Sequence, residues 1–126
     1  MCDREVHDSH AQLQGTWQLI HGEKSGKPFP EVVTKNVQLV FNDGQMTTRN
    51  GQTEFSYPFK LVPDLSPSAI DLIMNESIGQ GIFRLESDQL TIVHTEAGET
   101  RPTTFDTQEG SKLTMLILEK LPSKIL

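Results

Sequence analysis

The tripeptide Gly15-Thr16-Trp17 constrains the fold of this chain more than any other sequence feature. It lies in the alternating run LQGTWQL at residues 13–19, which holds the only tryptophan. Apolar residues at every second position predict a β-strand with one buried face. Because glycine has no side chain, a large ring or a neighbouring strand can approach Gly15 closely on that face. The run therefore predicts a first strand from Leu13 to about His21, with Trp17 on the floor of a barrel.

Composition and charge limit the class of protein. The chain has 126 residues, about one domain, and 11 basic against 17 acidic residues give a net charge of −6. Such a charge repels phosphate backbones, and the basic residues nearest to a patch, Lys24, Lys27 and Lys35, are interrupted by Glu23 and Glu31. We therefore expect no nucleic acid partner. The apolar runs are far shorter than the roughly 20 residues that a transmembrane helix needs, so we expect no transmembrane segment.

Cys2 is the single cysteine, so an intramolecular disulfide and a thiolate metal cluster within one chain are both excluded. No basic stretch followed by an apolar segment precedes residue 13. Two localisations stay open. The chain is either cytoplasmic, or an exported or lipoprotein form that lacks its signal and begins at Cys2.

Strands and turns account for nearly all of the sequence. Ser9 to Gln12 predicts one helical turn, Gly22 to Pro30 predicts an irregular loop, and Asn50-Gly51 is a strong hairpin signal. Gly79 and Gly81 are expected in a tight turn. The candidate strands are Leu13–His21, Val37–Phe41, Gln45–Arg49, Phe55–Leu61, Ala69–Met74, Gly81–Glu86, Gln89–Thr95, Thr103–Thr107 and Leu113–Leu118.

This pattern predicts an all-β fold, a single antiparallel up-and-down β-barrel of about 8–9 strands with at most a short N-terminal helical turn. A β-sandwich is the alternative. Nine strands in simple succession would leave the first and last parallel, so one candidate is expected outside the ring or two form one bent strand. Thr103 to Thr107 and Gln45 to Arg49 are the expected exceptions. The predicted organisation is an N-terminal segment at 1–12, the barrel domain at 13–121 and a C-terminal tail at 122–126.

Gly15-Thr16-Trp17 in a first strand resembles the Gly-X-Trp signature of lipocalins and related calycins. Further motifs resemble, in their order, an uncharacterised lipocalin-like domain family typical of planctomycete bacteria. The resemblance covers about residues 13 to 120 and implies a lipocalin-like barrel closed at one end by Trp17, with many relatives exported or anchored and no established activity. Lipocalins place a basic residue beside the tryptophan on a late strand, where this chain offers Lys112 or Lys120 and no arginine. The motifs are LQGTW at 13–17, GKP at 26–28, FKL at 59–61, AIDL at 69–72, GIFRL at 81–85, DQLTI at 88–92 and RPTTF at 101–105.

The interior of the predicted barrel is the candidate binding site. An eight-stranded barrel is just wide enough to be filled by side chains or to hold one small ligand. We predict a noncatalytic domain that binds a small apolar or amphipathic molecule in the barrel. The alternative is a structural or protein-interaction domain with a filled core. The candidate lining residues are Trp17, Leu19, His21, Phe41, Phe55, Tyr57, Phe59, Met74, Phe83, Ile92 and His94.

Two histidines are expected to point into the barrel, at the end away from the tryptophan. His21 continues the face of Trp17, and His94 continues the face of Leu90. Two inward imidazoles can hold a metal, a haem iron or an anionic group. Because the sequence offers no third ligand at a defined spacing, we predict no metal and no cofactor.

Catalytic motifs such as Gly-X-Ser-X-Gly and His-Glu-X-X-His are absent from the sequence, so enzyme activity is not indicated. Acid and base groups can still assemble in space, which leaves an enzyme as a third reading. Arg84 alternates with apolar neighbours and is expected to face solvent. Both arginines are candidates for fixing a ligand carboxylate, but for Arg101 a structural ion pair with Glu96, Glu99 or Asp106 is favoured.

The last candidate strand, Leu113 to Leu118, is apolar on both faces. Such a strand is either covered on both sides or exposes an apolar surface that favours association. Self-association is therefore expected through Leu113, Met115, Leu116 and Leu118 if the outer face is uncovered.

Overall fold

The computed structural model describes residues 13–42, 44–62, 68–74, 77–95 and 100–121, apart from the side chains of Met74 and Ser77. Several sequence predictions fall outside this part of the chain, and the domain limits stay a prediction. Those outside are the helical turn at Ser9 to Gln12, the role of Cys2, the side chain of Met74, and the Arg101 partners Glu96 and Glu99.

The described residues form a closed antiparallel barrel of eight strands with one extra strand and one short helix. The sheet order is β2-β1-β3-β4-β5-β6-β7-β8-β9, and β9 also pairs with β1 to close the ring. This confirms the predicted all-β barrel. The elements are β1 (Gly15–Lys24), β2 (Lys27–Pro28), α1 (Glu31–Asn36), β3 (Val37–Asn42), β4 (Gln45–Asn50), β5 (Thr53–Val62), β6 (Ala69–Met74), β7 (Ser77–Glu86), β8 (Gln89–His94) and β9 (Thr114–Lys120).

The strand outside the ring differs from both expected exceptions. It is β2, which pairs with the end of β1 in the stretch predicted as a loop. Gln45 to Arg49 belongs to β4 inside the ring, and Thr103 to Thr107 forms no strand. With that candidate removed, eight ring strands close with every pair antiparallel, as an even number allows. Gly79 and Gly81 are also not in a turn, since both lie within β7.

The helix α1 was not predicted from the sequence. Its six residues are too few to show a helical period, and its β-branched residues Val32, Val33 and Thr34 favour strands in isolation. Tertiary contacts hold it in place. The side-chain amide of Gln18 on β1 lies 3.2 Å from the Thr34 carbonyl and 3.1 Å from the Val37 carbonyl, so it donates to the end of the helix. No helix in the described residues is long and apolar enough to cross a membrane.

The strand β1 closes the barrel by pairing on both sides. Its first residues pair with β3, and the stretch from Trp17 to Lys24 pairs with β9. Leu19 pairs with Leu118 and His21 pairs with Ile117, so Ile20 is an extra residue without a partner on β9. Such a β-bulge reverses which side chains point inward beyond it.

Trp17 occupies the floor of the barrel, as the sequence predicted. Its side chain is 1% exposed, and its indole Nε1 donates to the Leu13 carbonyl at 2.9 Å. The Lys120 ammonium lies 5.6 Å from the centre of the indole ring, within the range of a cation–π contact. Gly15 has a φ of +123°, and a Cβ there would lie 3.5 Å from Cε of Lys120. Lys120 therefore passes over Gly15 to reach the tryptophan.

Side chains fill the barrel at the Trp17 end. The rings of Phe41 and Phe59 meet edge to face with their centroids 5.2 Å apart. Aromatic pairs in this geometry stabilise a core beyond their buried area. The cluster of buried side chains is Leu13, Trp17, Leu19, Leu39, Phe41, Met46, Phe59, Leu61, Ile70, Leu72, Phe83, Leu90, Ile92 and Leu118.

Part of the outer wall is also buried. Ala69, Ile82 and Val93 pair across β6, β7 and β8 and alternate with inward residues, yet each is no more than 1% exposed. Full burial of outward side chains requires a cover. The 100–113 segment contacts the same strands, and the ring centroid of Phe105 lies 4.5 Å from the guanidinium of Arg84. We infer that this segment covers the outer face of β6 to β8.

Arg101 anchors the covering segment. Its guanidinium donates to Asp71 Oδ1 at 2.7 Å and to the carbonyl oxygens of Gly81 at 2.8 Å and Ile70 at 3.3 Å. The predicted structural role of Arg101 is confirmed, but its carboxylate partner within the described residues is Asp71. Arg84 faces solvent as predicted, with half of its side chain exposed.

Both faces of strand β9 are apolar, because one face lines the barrel interior and the other is half-buried on the outer wall. Leu116 and Leu118 pair with the inward residues Ile92 and Leu90, and Leu118 is 0% exposed. The prediction that these two leucines contribute to a self-association surface is therefore wrong. Met115 points outward and is half-buried. Leu113, which precedes the strand, is also half-buried.

Truncating the tryptophan should destabilise the barrel strongly. We expect Trp17→Ala to lower the free energy of unfolding by about 3–5 kcal/mol, because it removes a fully buried ring and leaves the Leu13 carbonyl without its donor. Urea unfolding measures this change. The control is Ile20→Ala at a residue 43% exposed on the same strand, for which we expect less than about 1 kcal/mol. Equal losses in the two variants would contradict the role assigned to Trp17.

The two arginines should differ in their contribution to stability. We expect Arg101→Met to lower the free energy of unfolding by about 2–3 kcal/mol, because Asp71 loses its ion pair and two carbonyls lose a charged donor. Arg84→Met removes an exposed ion pair with Glu86 and should cost about 1 kcal/mol or less. Thermal or urea unfolding of both variants tests the difference, and a larger loss for Arg84→Met would argue against the anchor.

Candidate ligand-binding cavity

A cavity of about 210 Å³ lies inside the barrel, in the half away from Trp17. The inward residues of seven ring strands form its wall, and Phe29 reaches it from the loop before α1. Its lining is mostly apolar, with four polar side chains among the twelve lining residues. The twelve lining residues are Leu19, Phe29, Val37, Leu39, Met46, Thr48, Tyr57, Leu72, Ile92, His94, Thr114 and Leu116.

The structure divides the predicted lining residues between the two halves of the barrel. Four of them line the cavity: Leu19, Tyr57, Ile92 and His94. Four others point inward but pack in the core without lining the cavity: Trp17, Phe41, Phe59 and Phe83. The barrel is thus filled at one end and hollow at the other. A role of any of these side chains in binding stays a prediction.

Phe55 does not line the cavity, contrary to expectation. It has the same strand parity as the inward residues Tyr57 and Phe59, yet its side chain is 55% exposed. It pairs with Thr48 close to the β4–β5 turn, at the rim of the barrel. Alternation in a sequence gives the face on which a side chain lies but not its height in the barrel, and Phe55 stands too near the end to be covered.

His21 lies on the outer wall, so its predicted inward orientation is wrong. The bulge at Ile20 reverses the parity of β1, and His21 pairs with the outward residue Ile117. The two-histidine site considered from the sequence is therefore not formed, since His94 alone of the pair lines the cavity.

His21 instead belongs to a polar chain outside the barrel. Its Nε2 lies 3.1 Å from Glu23 Oε2, and Thr107 donates its hydroxyl hydrogen to Glu23 Oε1 at 2.7 Å. The hydroxyl of Thr107, with a smaller contribution from His21, holds the pKa of Glu23 below its usual value. The backbone N–H of Gly26 donates to Thr107 Oγ1 at 2.9 Å. These bonds tie the covering segment to the end of β1.

His94 points into the cavity as the sequence predicted. Its Nδ1 lies 3.2 Å from the Thr95 carbonyl oxygen. A carbonyl oxygen only accepts, so Nδ1 carries the hydrogen of the neutral ring and Nε2 is a hydrogen-bond acceptor. Burial lowers the pKa of His94, the bond to Thr95 opposes this less strongly, and the positive charge of Lys24 lowers the pKa further. His94 is therefore neutral at pH 7.

Strand register places three polar residues in one row. His94 on β8 pairs with Thr114 on β9, and Thr114 pairs with Lys24 on β1. His94 and Thr114 line the cavity, whereas Lys24 is exposed at the end of its strand. Because neighbouring residues in a sheet row lie within about 5.5 Å at Cα, His94 and Thr114 lie close together, whereas the polar lining residues Thr48 and Tyr57 lie across the ring on β4 and β5.

Phe29 closes one side of the cavity through its contact with Gly22. Its backbone N–H donates to the Gly22 carbonyl at 2.8 Å, and a Cβ on residue 22 would lie 2.4 Å from Cδ2 of the Phe29 ring. The bulge at Ile20 turns residue 22 inward, so the absence of a side chain there leaves the space that the ring occupies.

Sequence reasoning missed eight of the lining residues. Leu39 and Leu72 carried a usable signal, because they lie two positions from Phe41 and Met74, which were assigned to the inner face, whereas Leu116 lies in a strand that is apolar on both faces. Phe29 carried none, since it comes from a loop. The others are Val37, Met46, Thr48 and Thr114.

The described side chains limit what the cavity can hold. Within the described ranges, no group of three or more His, Cys, Asp or Glu side chains could hold a metal ion. The cavity offers a mostly apolar wall with polar side chains in two places, His94 with Thr114 and Thr48 with Tyr57.

Stability should depend on pH through His94. Because the folded pKa lies below the ordinary value of 6.5, the unfolded chain binds the proton first, and stability falls as pH drops below about 6.5. The slope cannot exceed about 1.4 kcal/mol per pH unit for one group. We expect urea unfolding of His94→Gln to lose this slope. Glu23 acts in a separate window, since its lowered pKa loses stability only below about 4.5. An unchanged slope above pH 5 in His94→Gln would contradict the assignment.

Comparison with known proteins finds no matching family model, no matching curated protein and no matching solved structure.

Proposed function

We propose that this protein is a noncatalytic, lipocalin-like binding domain that holds a small apolar or amphipathic molecule in its barrel. The observation that carries the proposal is the cavity of about 210 Å³ in a barrel whose other half is tightly filled. A barrel that served only as a scaffold would gain stability by filling this space, since empty volume in a core costs free energy.

The size of the cavity limits the ligand. Pockets for drug-sized molecules have volumes of about 300–1,000 Å³, whereas an apolar cavity of about 150 Å³ is large enough for benzene. At about 210 Å³, this cavity suits a molecule with one aromatic ring or a short aliphatic chain. Burial of such a molecule against Leu19, Leu39 and Leu116 would be driven by removal of its apolar surface from water.

Relationship to the lipocalin-like family of planctomycete bacteria is part of the same proposal. Two structural observations support it. Trp17 lies on the floor of an eight-stranded antiparallel barrel, and the late strand β9 places Lys120 beside the indole ring. Of the two lysines that the sequence offered for the basic position beside the tryptophan, Lys112 and Lys120, Lys120 is the one that contacts the ring.

Toluene tests the proposed function, because it is apolar and small enough for the cavity. We expect Thr48→Phe, which adds a ring inside the cavity, to weaken toluene binding at least tenfold. Thr47→Phe is the matched control: the residue is next along β4, points outward and bonds to the Ser56 hydroxyl at 2.8 Å. Shifts of the methyl NMR signals of Leu39, Leu72 and Leu116 report binding. The proposal is refuted if wild-type protein shows no toluene-dependent shifts, or if both variants bind equally.

A further inference from the structure

His94 presents a hydrogen-bond acceptor in the wall of the cavity. Nδ1 of His94 donates to the Thr95 carbonyl, which leaves Nε2 with a lone pair in the neutral ring. No described residue donates a hydrogen bond to this nitrogen. Nε2 is the ring nitrogen farther from the backbone, and the His94 side chain lines the cavity, so we infer that this acceptor is available to a ligand there.

The charges around His94 favour a neutral partner. A carboxylate that bonds to His94 would need a hydrogen on Nε2, and therefore a protonated ring, which burial opposes most strongly and the charge of Lys24 opposes further. An ammonium ligand would have no carboxylate to pair with among the described cavity-lining residues. Among the described cavity-lining residues, the titratable side chains are His94 and Tyr57, and no carboxylate is present. Gly81 and Thr114, which flank His94 on β7 and β9, do not titrate.

Thr114 complements a hydroxyl group on the ligand. It pairs directly with His94 and lines the same cavity, and its own hydroxyl can both donate and accept. A ligand oxygen that donates its hydrogen to His94 can accept one from Thr114. A methyl group in that position would leave both protein groups without a ligand partner, and an ether oxygen, which only accepts, would leave Nε2 of His94 without one; either loss costs affinity.

We propose that the ligand of this cavity is a small apolar molecule with one hydroxyl group, a phenol or an alcohol, whose O–H donates to Nε2 of His94. This inference rests on the proposed function and names its ligand class. His94 and Thr114 are the residues that select the hydroxyl group. The apolar lining residues, among them Leu19 and Leu116, hold the remainder of the molecule.

Three probes of similar size separate the alternatives: phenol, toluene and benzoate. Phenol and toluene differ only in the hydroxyl group, so their ratio of dissociation constants reports the hydrogen bond. We expect phenol to bind about tenfold more tightly than toluene at neutral pH. Phenol binding should weaken once the pH falls below 6.5, the ordinary pKa of histidine, and reaches the lowered pKa of His94, because protonation removes the acceptor. Isothermal titration calorimetry or methyl NMR titration measures each constant.

The variant that tests the acceptor is His94→Phe, with His21→Phe on the outer wall as its control. We expect His94→Phe to bind phenol and toluene equally, and His21→Phe to keep the preference for phenol. The wild-type ratio does not depend on either variant folding. Equal binding of phenol and toluene by wild-type protein, or benzoate binding more tightly than phenol, overturns the hydroxyl assignment and leaves the proposed function intact. Failure of phenol, toluene and benzoate to bind at all overturns the proposed function itself.

Discussion

The pairing of β1 with β9 is the constraint on which the rest of the structure depends. Trp17 lies opposite Lys120 in this pairing, and Leu19 lies opposite Leu118. Without it, the first and last ring strands would be free edges of an open sheet, and the inward residues of eight strands would have no common interior. The cavity exists because this contact turns a sheet into a ring, and its lining comes from both partners of the pair, Leu19 and Leu116.

The bulge at Ile20 changes which residues of β1 face that interior. Before it, β1 contributes Trp17 and Leu19 to the inner face, and beyond it β1 contributes Gly22 in place of His21. A side chain at residue 22 would collide with the Phe29 ring, because a Cβ there would lie 2.4 Å from Cδ2 of that ring. The bulge therefore moves a polar ring to the outer wall, where it meets Glu23, and leaves room inside for Phe29.

The sequence predicts faces better than it predicts heights or irregularities. Strict alternation placed Trp17, Phe41 and Phe83 inside correctly, because the period of a regular strand is a local property. His21 was misplaced because a bulge depends on the length of the partner strand, which one segment cannot report. Phe55 was misplaced because its exposure depends on where the barrel ends. Part of the covering segment at 100–113, Thr103 to Thr107, resembled a strand. The segment is held by the contact of Arg101 with Asp71, two residues 30 positions apart, and a local sequence pattern does not report such a contact.

The contact between Gly22 and Phe29 separates the size of the cavity from its chemistry. Residue 22 does not belong to the cavity lining, yet any side chain there would occupy the place of the Phe29 ring. Relatives that differ only at this position would keep the same apolar wall and the same His94 while admitting molecules of different bulk. The volume of the cavity can therefore change at a residue outside its lining, while the lining side chains stay the same.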